Sequence, residues 1–345
     1  MEKTARNPGY DYLKAVACIG IIYLHTIFST TLMYADRITP RQTLLCEIFM
    51  NNLMWAVPCF IMVTGALLLP AEKEISYGAL FKKYIARILK AIVVFGLAFV
   101  LLEMIFNPDR RSGDYFLNGL YKIFTGDTWS HMWYLYCLIG LYLLLPAYKK
   151  IAANAEKKDI RYLLIVYAVF ESLLLLLDIG NIRCGFYIHV SSIYPFWLFL
   201  GYYLRQWGLS RKRSFYVWIF AVSTVLLIVM TIVRMKWDLA VLDMLFEYNS
   251  ILVIGQAFGV AGWFFRCREE GAAPLKKVLS NINRHSFGIY LIHMAFVRLI
   301  YKHLHFDPFA VNGALGITLV VLAAFVLSYL VDWALKKIPF FRGIL

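Results

Sequence analysis

The amino-acid sequence predicts an all-α integral membrane protein, a bundle of about ten transmembrane helices with both termini in the cytoplasm. The prediction rests on the composition, the length of the apolar segments and the uneven distribution of basic residues among the loops. Of the 345 residues, 61% are hydrophobic and 16% are charged, whereas soluble domains are nearer half apolar and a quarter charged. The composition therefore indicates that lipid is the main solvent of this chain.

The apolar segments have the length of membrane spans, since a helix needs roughly 20 predominantly apolar residues to cross a bilayer. Ten segments approach that length, at about 12–33, 44–70, 84–106, 131–147, 162–178, 189–204, 214–233, 249–265, 285–302 and 313–335. The longest loop between them, about 107–130, is too short to hold a separate soluble domain. We therefore expect one membrane domain over residues 1–345, with its function inside the helix bundle.

The basic residues predict the orientation of the chain in the membrane. The net charge of +14 could by itself suggest nucleic-acid binding. However, when residues near the ends of spans are counted with the adjacent loop, 23 of the 35 Lys and Arg residues fall on the predicted inner side, nine on the predicted outer side and three within spans. This asymmetry follows the positive-inside rule and predicts an even number of spans. Lipids are therefore the expected partners of these residues, and no nucleic-acid partner is expected.

Three ionisable residues predict a polar face on the first helix. Asp11 and Lys14 are one helical turn apart, and Lys14 and His25 are three turns apart, so all three side chains share a face. Lys14 would lie near the cytoplasmic surface and His25 roughly 16 Å deeper. Ionisable groups at that depth are costly and usually line a functional cavity. The alternative is that Lys14 snorkels to the interface and His25 bonds a neighbouring helix.

Two aromatic and histidine clusters are further candidates. His131, Trp133 and Tyr134 come at the predicted outer end of the fourth span, and Tyr290 and His293 are one turn apart on the ninth. Interfacial aromatic belts account for such Trp and Tyr residues without any function. A histidine between tryptophans is also typical of a sugar-binding site.

Basic residues begin the third span from the cytoplasmic side. Lys83, Arg87 and Lys90 are explained by membrane anchoring, but Lys90 lies deeper than anchoring requires, and a polyanionic ligand would account for it. Other polar residues within or at the ends of spans have no assigned role, and they are Glu103, Glu171, Asp178 and Gln256. Arg298 is one of the three basic residues within spans, with Lys14 and Lys90.

Short motifs in a fixed order resemble the acyltransferase 3 family of bacterial membrane acyltransferases. They are Asp11, Lys14 and His25 in the first helix; PCFIMVTG at 58–65; Lys83 to Arg87; HMWYL at 131–135; FWLFLGYYL at 196–204; and SFGIYLIH at 286–293. Together they span roughly residues 9–335. The sequence is most similar to stand-alone members that O-acetylate cell-surface polysaccharides.

The resemblance implies a multi-pass protein of the bacterial cell membrane with an acyl-CoA donor, usually acetyl-CoA. No metal is expected, because the six Cys residues show no paired spacing. The acceptor would be a hydroxyl of a cell-envelope glycan or glycolipid. The family's pair of a basic residue and a histidine eleven positions later corresponds to Lys14 and His25. Arg is common at the first of these positions, and Lys lacks its bidentate fork for phosphate.

The acyltransferase hypothesis assigns a role to each candidate. His25 is the expected general base, with Lys14 and Asp11 nearer the donor. The donor phosphates would meet a set of cytoplasmic basic residues, namely Lys83, Arg87, Lys90, Arg205 and Arg284. The acceptor would meet the outer aromatic and histidine side chains, namely His131, Trp133, Tyr134, Tyr290 and His293.

The main alternative is a transporter or flippase of a polar or lipid-linked envelope component. Buried polar residues suit it equally well, but the sequence shows no clear internal repeat of the kind found in many transporters. A membrane sensor is a third possibility, although such proteins more often carry a soluble signalling domain. Oligomeric state, acyl chain length and acceptor identity are open at this stage.

Overall fold

The computed structural model describes residues 7–182, 192–208, 211–267, 273–310 and 312–345. Over these ranges the chain is all-helical, with 83% helix and no strand. This confirms the predicted all-α membrane class.

Eight helical stretches in the described ranges are long and apolar enough to cross a membrane. They are Pro8–Met33, Pro40–Leu68, Tyr77–Phe106, Gly113–Asn154, Lys157–Gly180, Arg213–Trp237, Ala240–Phe265 and Gly313–Leu335. The other two predicted spans fall short of these criteria. The segment at 189–204 lies partly outside the described residues, and the segment at 285–302 is helical but carries His285, His293 and Arg298, which lower its mean hydropathy.

The backbone contacts divide the chain into two compact units. Unit 1 comprises residues up to Lys73 together with Lys149–Ser286, and unit 2 comprises Glu74–Tyr148 and Phe287–Leu345. The α-helices, numbered in chain order, are α1 Pro8–Met33, α2 Pro40–Asn51, α3 Ala56–Leu68, α4 Tyr77–Ala79, α5 Ala86–Phe106, α6 Gly113–Thr125, α7 Trp133–Asn154, α8 Lys157–Ala168, α9 Tyr194–Trp207, α10 Arg213–Trp237, α11 Ile251–Phe265, α12 Ala273–Arg298, α13 Gly313–Leu335 and α14 Pro339–Arg342.

Shorter helical segments connect or extend these helices. The π-helical segments are Leu80–Ile85, Val169–Leu173 and Leu299–His303, and the 3₁₀ segments include Pro108–Arg110, Ser130–Met132, Leu174–Gly180, Ala240–Phe246 and Pro308–Ala310.

Two glycines allow a close helix contact within unit 1. A Cβ atom on Gly65 of α3 would overlap the carbonyl oxygen of Leu198 and lie 2.6 Å from its carbonyl carbon. A Cβ atom on Gly201 of α9 would overlap the carbonyl oxygen of Met62 and lie 2.6 Å from its Cα. Small residues let membrane helices approach backbone to backbone. The motifs at 58–65 and 196–204 therefore meet in one reciprocal interface.

Polar side chains also link helices in unit 1. Gln256 of α11 is fully buried, and its Nε2 donates to Asn52 Oδ1 at 2.8 Å and to Thr224 Oγ1 at 2.9 Å. Asn51 Nδ2 donates to Thr231 Oγ1 at 3.1 Å. These bonds surround the break between α2 and α3, where neighbouring helices satisfy polar groups that lipid could not. Gln256, which had no role from sequence, therefore helps to hold the interface of α10 and α11.

Unit 2 contains a helix where the sequence predicted a loop. Within 107–130, α6 begins after the N-cap Ser112, whose side chain accepts from Tyr115 N. It ends at Gly126, whose φ of 82° is a left-handed conformation that favours glycine. Both caps are ordinary helix signals, so the expectation of a plain loop was wrong in detail.

One face of α13, in unit 2, is apolar and exposed. Its exposed apolar side chains recur every three or four residues, at Leu315, Leu319, Leu322, Val326 and Leu330. A large apolar stripe on one face of a helix requires an apolar environment. We therefore assign this stripe to lipid contact.

The opposite face of α13 carries a buried acid. Asp332 is fully buried, and its carboxylate accepts from Lys336 Nζ at 2.8 Å. A Cβ atom on Gly288 of α12 would overlap Asp332 Oδ1. The glycine of the SFGIYLIH motif thus leaves room for this carboxylate.

Candidate active site

The polar face predicted on the first helix is present in unit 1. Because α1 runs without a break from Pro8 to Met33, Lys14 and His25 lie three turns apart on one face, with Asp11 a turn before Lys14. All three side chains are partly buried. One continuous helix thus carries all three residues, and their catalytic roles stay a prediction.

The N-terminal end of α1 is held in place by α11 and α12. Asp11 Oδ1 accepts from Asn283 Nδ2 at 2.9 Å, and Asn7 Nδ2 donates to the carbonyl oxygen of Phe265 at 2.6 Å. The Tyr10 ring packs edge-on against Phe265 at 4.6 Å. These contacts fix the rotation of α1 about its axis, and therefore the direction in which its polar face points. Sequence reasoning had not singled out Asn283.

The outer cluster predicted from sequence is assembled within unit 2. The rings of His131 and His293 are 5.4 Å apart, and those of His131 and Tyr290 are 5.8 Å apart. His131 Nε2 lies 3.3 Å from the carbonyl oxygen of Leu291, and the Tyr290 hydroxyl donates to the carbonyl oxygen of His131. These contacts join the motifs at 131–135 and 286–293, which are about 160 residues apart in the chain. The sequence did not predict that the two motifs are in contact.

The remaining outer residues extend the same cluster. Tyr134 packs edge-on against Tyr290 at 5.8 Å and against Trp133 at 6.1 Å. His131 and His293 are only 1% and 0% exposed. Both histidine rings therefore pack against neighbouring rings and backbone, which favours a positioning role over direct stacking on a sugar.

A pocket of about 180 Å³ lies beside this cluster in unit 2. Its lining comprises Gly96, Phe99, Val100, Glu103, Arg110, Tyr115, Asn118, Gly119, Lys122, Asp127, Thr128, Trp129 and Arg298. Trp129 stacks on Phe99 at 4.2 Å and has its ring 6.2 Å from that of His131. The Arg298 guanidinium lies 4.5 Å from the Trp129 ring centre. Trp129 thus belongs to both the cluster and the pocket.

A buried carboxylate organises the charges of the pocket. Glu103 Oε1 accepts from Arg298 Nη1 at 2.6 Å, and Oε2 pairs with Arg110 Nη1. Asn107 Nδ2 donates to Glu103 Oε2 at 3.1 Å, and Lys302 Nζ donates to Asn107 Oδ1 at 2.8 Å. The sequence had marked Glu103 as a polar residue without a role and Arg298 as a basic residue within a span. Because the two residues are on different helices, their pairing could not be predicted from the sequence.

Comparison with known protein families decides the class of the chain. The model of an acyltransferase domain, that of the acyltransferase 3 family, matches residues 7–333. The chain belongs to the acyltransferase 3 family. No curated protein and no solved structure showed a significant match.

The family match confirms the resemblance drawn from the motifs, and the protein is a multi-pass membrane acyltransferase. It therefore uses an acyl donor and an acceptor. Among the described residues of this acyltransferase, no group of three or more His, Cys, Asp or Glu side chains is arranged to hold a metal ion.

The basic residues predicted to bind the donor fall in both units of the acyltransferase. Lys83, Arg87 and Lys90 belong to unit 2 and are exposed. The Arg87 guanidinium has partners within the fold: it donates to the carbonyl oxygens of Ile344 at 2.8 Å and Leu345 at 2.6 Å. Arg87 thus has a structural role that the sequence did not reveal.

The other two predicted donor residues belong to unit 1. Arg205 Nη1 donates to the carbonyl oxygen of Ala66 at 2.6 Å, which ties the end of α9 to α3. Arg284 of α12 is exposed. Arg205 therefore stabilises the contact between α3 and α9 that Gly65 and Gly201 allow. Its predicted role toward the donor is separate from this contact.

Proposed function

We propose that this acyltransferase moves an acetyl group from cytoplasmic acetyl-CoA to a hydroxyl of a cell-envelope carbohydrate in a bacterial cell membrane. The observation that carries the proposal is the unbroken α1, with Lys14 near its N-terminal end and His25 three turns further along; the predicted topology puts that end at the cytoplasmic side. The predicted topology puts the donor side and the acceptor side at opposite membrane faces. A histidine at intermediate depth suits a reaction in which the two substrates meet inside the membrane.

The proposed reaction needs a base and a positioned thioester. The neutral imidazole of His25 removes the proton of the acceptor hydroxyl as its oxygen attacks the acetyl carbonyl carbon. The tetrahedral intermediate then expels the CoA sulfur, the carbon–sulfur bond breaks, and the imidazolium returns its proton to the thiolate. The products are the acetyl ester and free CoA. Lys14 and Asp11 sit on the donor side of His25 in this proposal.

The acceptor side of the proposal uses the residues of unit 2. His131, Tyr290 and His293 form a rigid packed cluster, and Trp133 and Tyr134 extend it. Rigid support of this kind holds a substrate in a reactive position. We assign these five residues to the acceptor's surroundings.

The proposal is tested with purified protein in lipid nanodiscs, labelled acetyl-CoA and a panel of envelope glycans and lipid-linked sugars. We expect CoA release that depends on one acceptor class, with the label recovered as an alkali-labile ester on that acceptor. If labelled sugars instead cross proteoliposomes containing the protein and no CoA is released, the protein is a transporter and the proposal is wrong.

A prediction for the donor site uses Lys90, which is exposed on α5 one turn from Arg87. Lys90→Gln is expected to raise the KM for acetyl-CoA about three- to tenfold and leave kcat nearly unchanged, since one charge–phosphate contact is lost. The measurement is initial rate against acetyl-CoA concentration. Lys158→Gln is the matched control, because Lys158 is also predicted to be cytoplasmic and its side chain is 71% exposed. Equal effects of the two variants would remove Lys90 from the donor site.

A further inference from the structure

The arrangement of charges in the pocket of unit 2 differs from that of an ordinary ion pair. The Glu103 side chain is 7% exposed, whereas those of Arg110 and Arg298 are 40% and 34% exposed. The carboxylate is therefore buried behind the two guanidinium groups. The second acid of the lining, Asp127, is 77% exposed and pairs with Lys122, so the two guanidinium groups are the exposed charges around Glu103.

Both arginines retain donors for a ligand. Each contacts Glu103 through Nη1, and a guanidinium has five N–H donors in a planar fork. The carboxylate also offsets the repulsion that would otherwise separate two like charges in a partly buried site. Glu103 thus serves to hold two forked donors side by side.

The charged side chains lining the pocket leave a positive balance. Arg110, Lys122 and Arg298 are cationic, and Glu103 and Asp127 are acidic. Arg–carboxylate and Arg–phosphate contacts are the strong, directional hydrogen bonds of such sites. The surplus of one positive charge matches a ligand with one negatively charged group.

The neutral part of the lining suits a polyol. Tyr115, Asn118 and Thr128 offer hydroxyl and amide groups, and Trp129 offers an aromatic edge. The cavity volume of about 180 Å³ is below the roughly 300–1,000 Å³ of pockets that hold drug-sized ligands. A small cavity of this kind favours a single sugar unit over an oligosaccharide.

We propose that this pocket binds the acceptor through an anionic group, a carboxylate or a phosphate, carried on one of its sugar units. The proposal rests on the proposed function in taking the ligand to be the acceptor. On the predicted topology the pocket is at the outer side, since it is built from the end of α5, α6 and Arg298. The substrate class is therefore an acidic saccharide.

Calorimetric titration of the full-length protein in nanodiscs, without acetyl-CoA, tests the pocket. The probes are glucuronate, glucose 6-phosphate and neutral glucose. We expect at least one anionic probe to bind about tenfold or more tightly than glucose, because a charge-assisted hydrogen bond is gained. Glucuronate and glucose 6-phosphate separate a carboxylate source from a phosphate source, and a preference for either supports the proposal. Equal binding of all three probes overturns it.

Matched arginine variants assign the preference to the pocket. Arg110→Gln and Arg298→Gln are each expected to reduce the preference for the anionic probe over glucose about tenfold. Arg111→Gln is expected to retain that preference. Arg111 adjoins Arg110, but its guanidinium donates to the carbonyl oxygens of Met104 and Ile105. Should a glutamine variant fail to fold, Arg298→Lys keeps the charge and removes the fork, and several-fold weaker binding is then expected. A preference that survives in the folded arginine variants overturns the proposal.

The two proposals fail in different ways. The titration contains no acyl donor, so its result does not depend on acetyl transfer. If an anionic probe binds more tightly than glucose in the titration but no acceptor causes CoA release in the assay with labelled acetyl-CoA, the acetyl-transfer proposal is contradicted and the pocket proposal is not. Acetyl transfer to a neutral glycan at an unchanged rate in Arg110→Gln and Arg298→Gln contradicts the pocket proposal alone.

Discussion

Replacing His25 by alanine lowers the rate of acetyl transfer by about 10²–10⁴-fold, the range expected for loss of a positioned general base. The effect falls on kcat, because the proton is transferred in the chemical step. The KM for acetyl-CoA changes little, since the donor contacts are assigned to other residues. Rates of CoA release measured against both substrates check this result.

The fold should survive this substitution. His25 is only partly buried, and alanine is the best helix former, so α1 remains intact. His25→Gln separates hydrogen bonding from base catalysis, because the amide can bond but cannot accept the proton, and it is expected to be equally slow. His303→Ala is the control: His303 belongs to the π-helical segment Leu299–His303, and its ring packs on Phe106 at 4.6 Å. Near-normal turnover in a folded His25→Ala protein would remove His25 from the mechanism.

Replacing Gly201 by valine prevents α3 and α9 from reaching their native separation. The new side chain would overlap the backbone of Met62, and backbone atoms cannot rotate away as a flexible side chain can. Overpacking typically costs about 1–3 kcal/mol, and we expect the upper end or more because the contact is reciprocal with Gly65. The measurement is the thermal unfolding midpoint of the detergent-solubilised protein, which should fall by several degrees.

Gly140 provides the control for this prediction. It lies on α7, and a Cβ atom built on it meets nothing within 4 Å. Gly140→Ala should leave the midpoint unchanged or raise it slightly, since alanine is the better helix former. A Gly201→Val protein as stable as Gly140→Ala would show that the interface of α3 and α9 is not closely packed.

Sequence reasoning succeeded where the information is local. The length of the apolar segments and the composition predicted the membrane class. The spacing from Lys14 to His25 predicted a shared face, because that face depends only on the regular geometry of one helix. The helix α6 was missed even though Ser112 and Gly126 are recognisable caps. Spans were assigned from the long apolar segments on either side of α6. A short helix between them has no apolar segment of comparable length.

Sequence reasoning failed where a contact joins distant parts of the chain. Helical periodicity identifies a face but does not say which helix covers it. Gly65 and Gly201 each stood in a motif, yet only the structure shows that each contacts the other's helix backbone. Arg87 was assigned to the donor, and its bonds to Ile344 and Leu345 were not foreseeable from its place on α5. Glu103 and Arg298 were noticed singly for the same reason.

The partnership of Glu103 with two arginines has a consequence for how the protein is made. At about 5–20 residues per second, roughly 200 residues separate the synthesis of Glu103 from that of Arg298, a delay of about 10–40 seconds. During that interval Arg110, seven positions further along, is the partner already within reach of the acid. Arg110 can therefore pair with the acid before Arg298 is synthesised, and the pairing of Glu103 with both arginines is completed only after the ninth predicted span has been made.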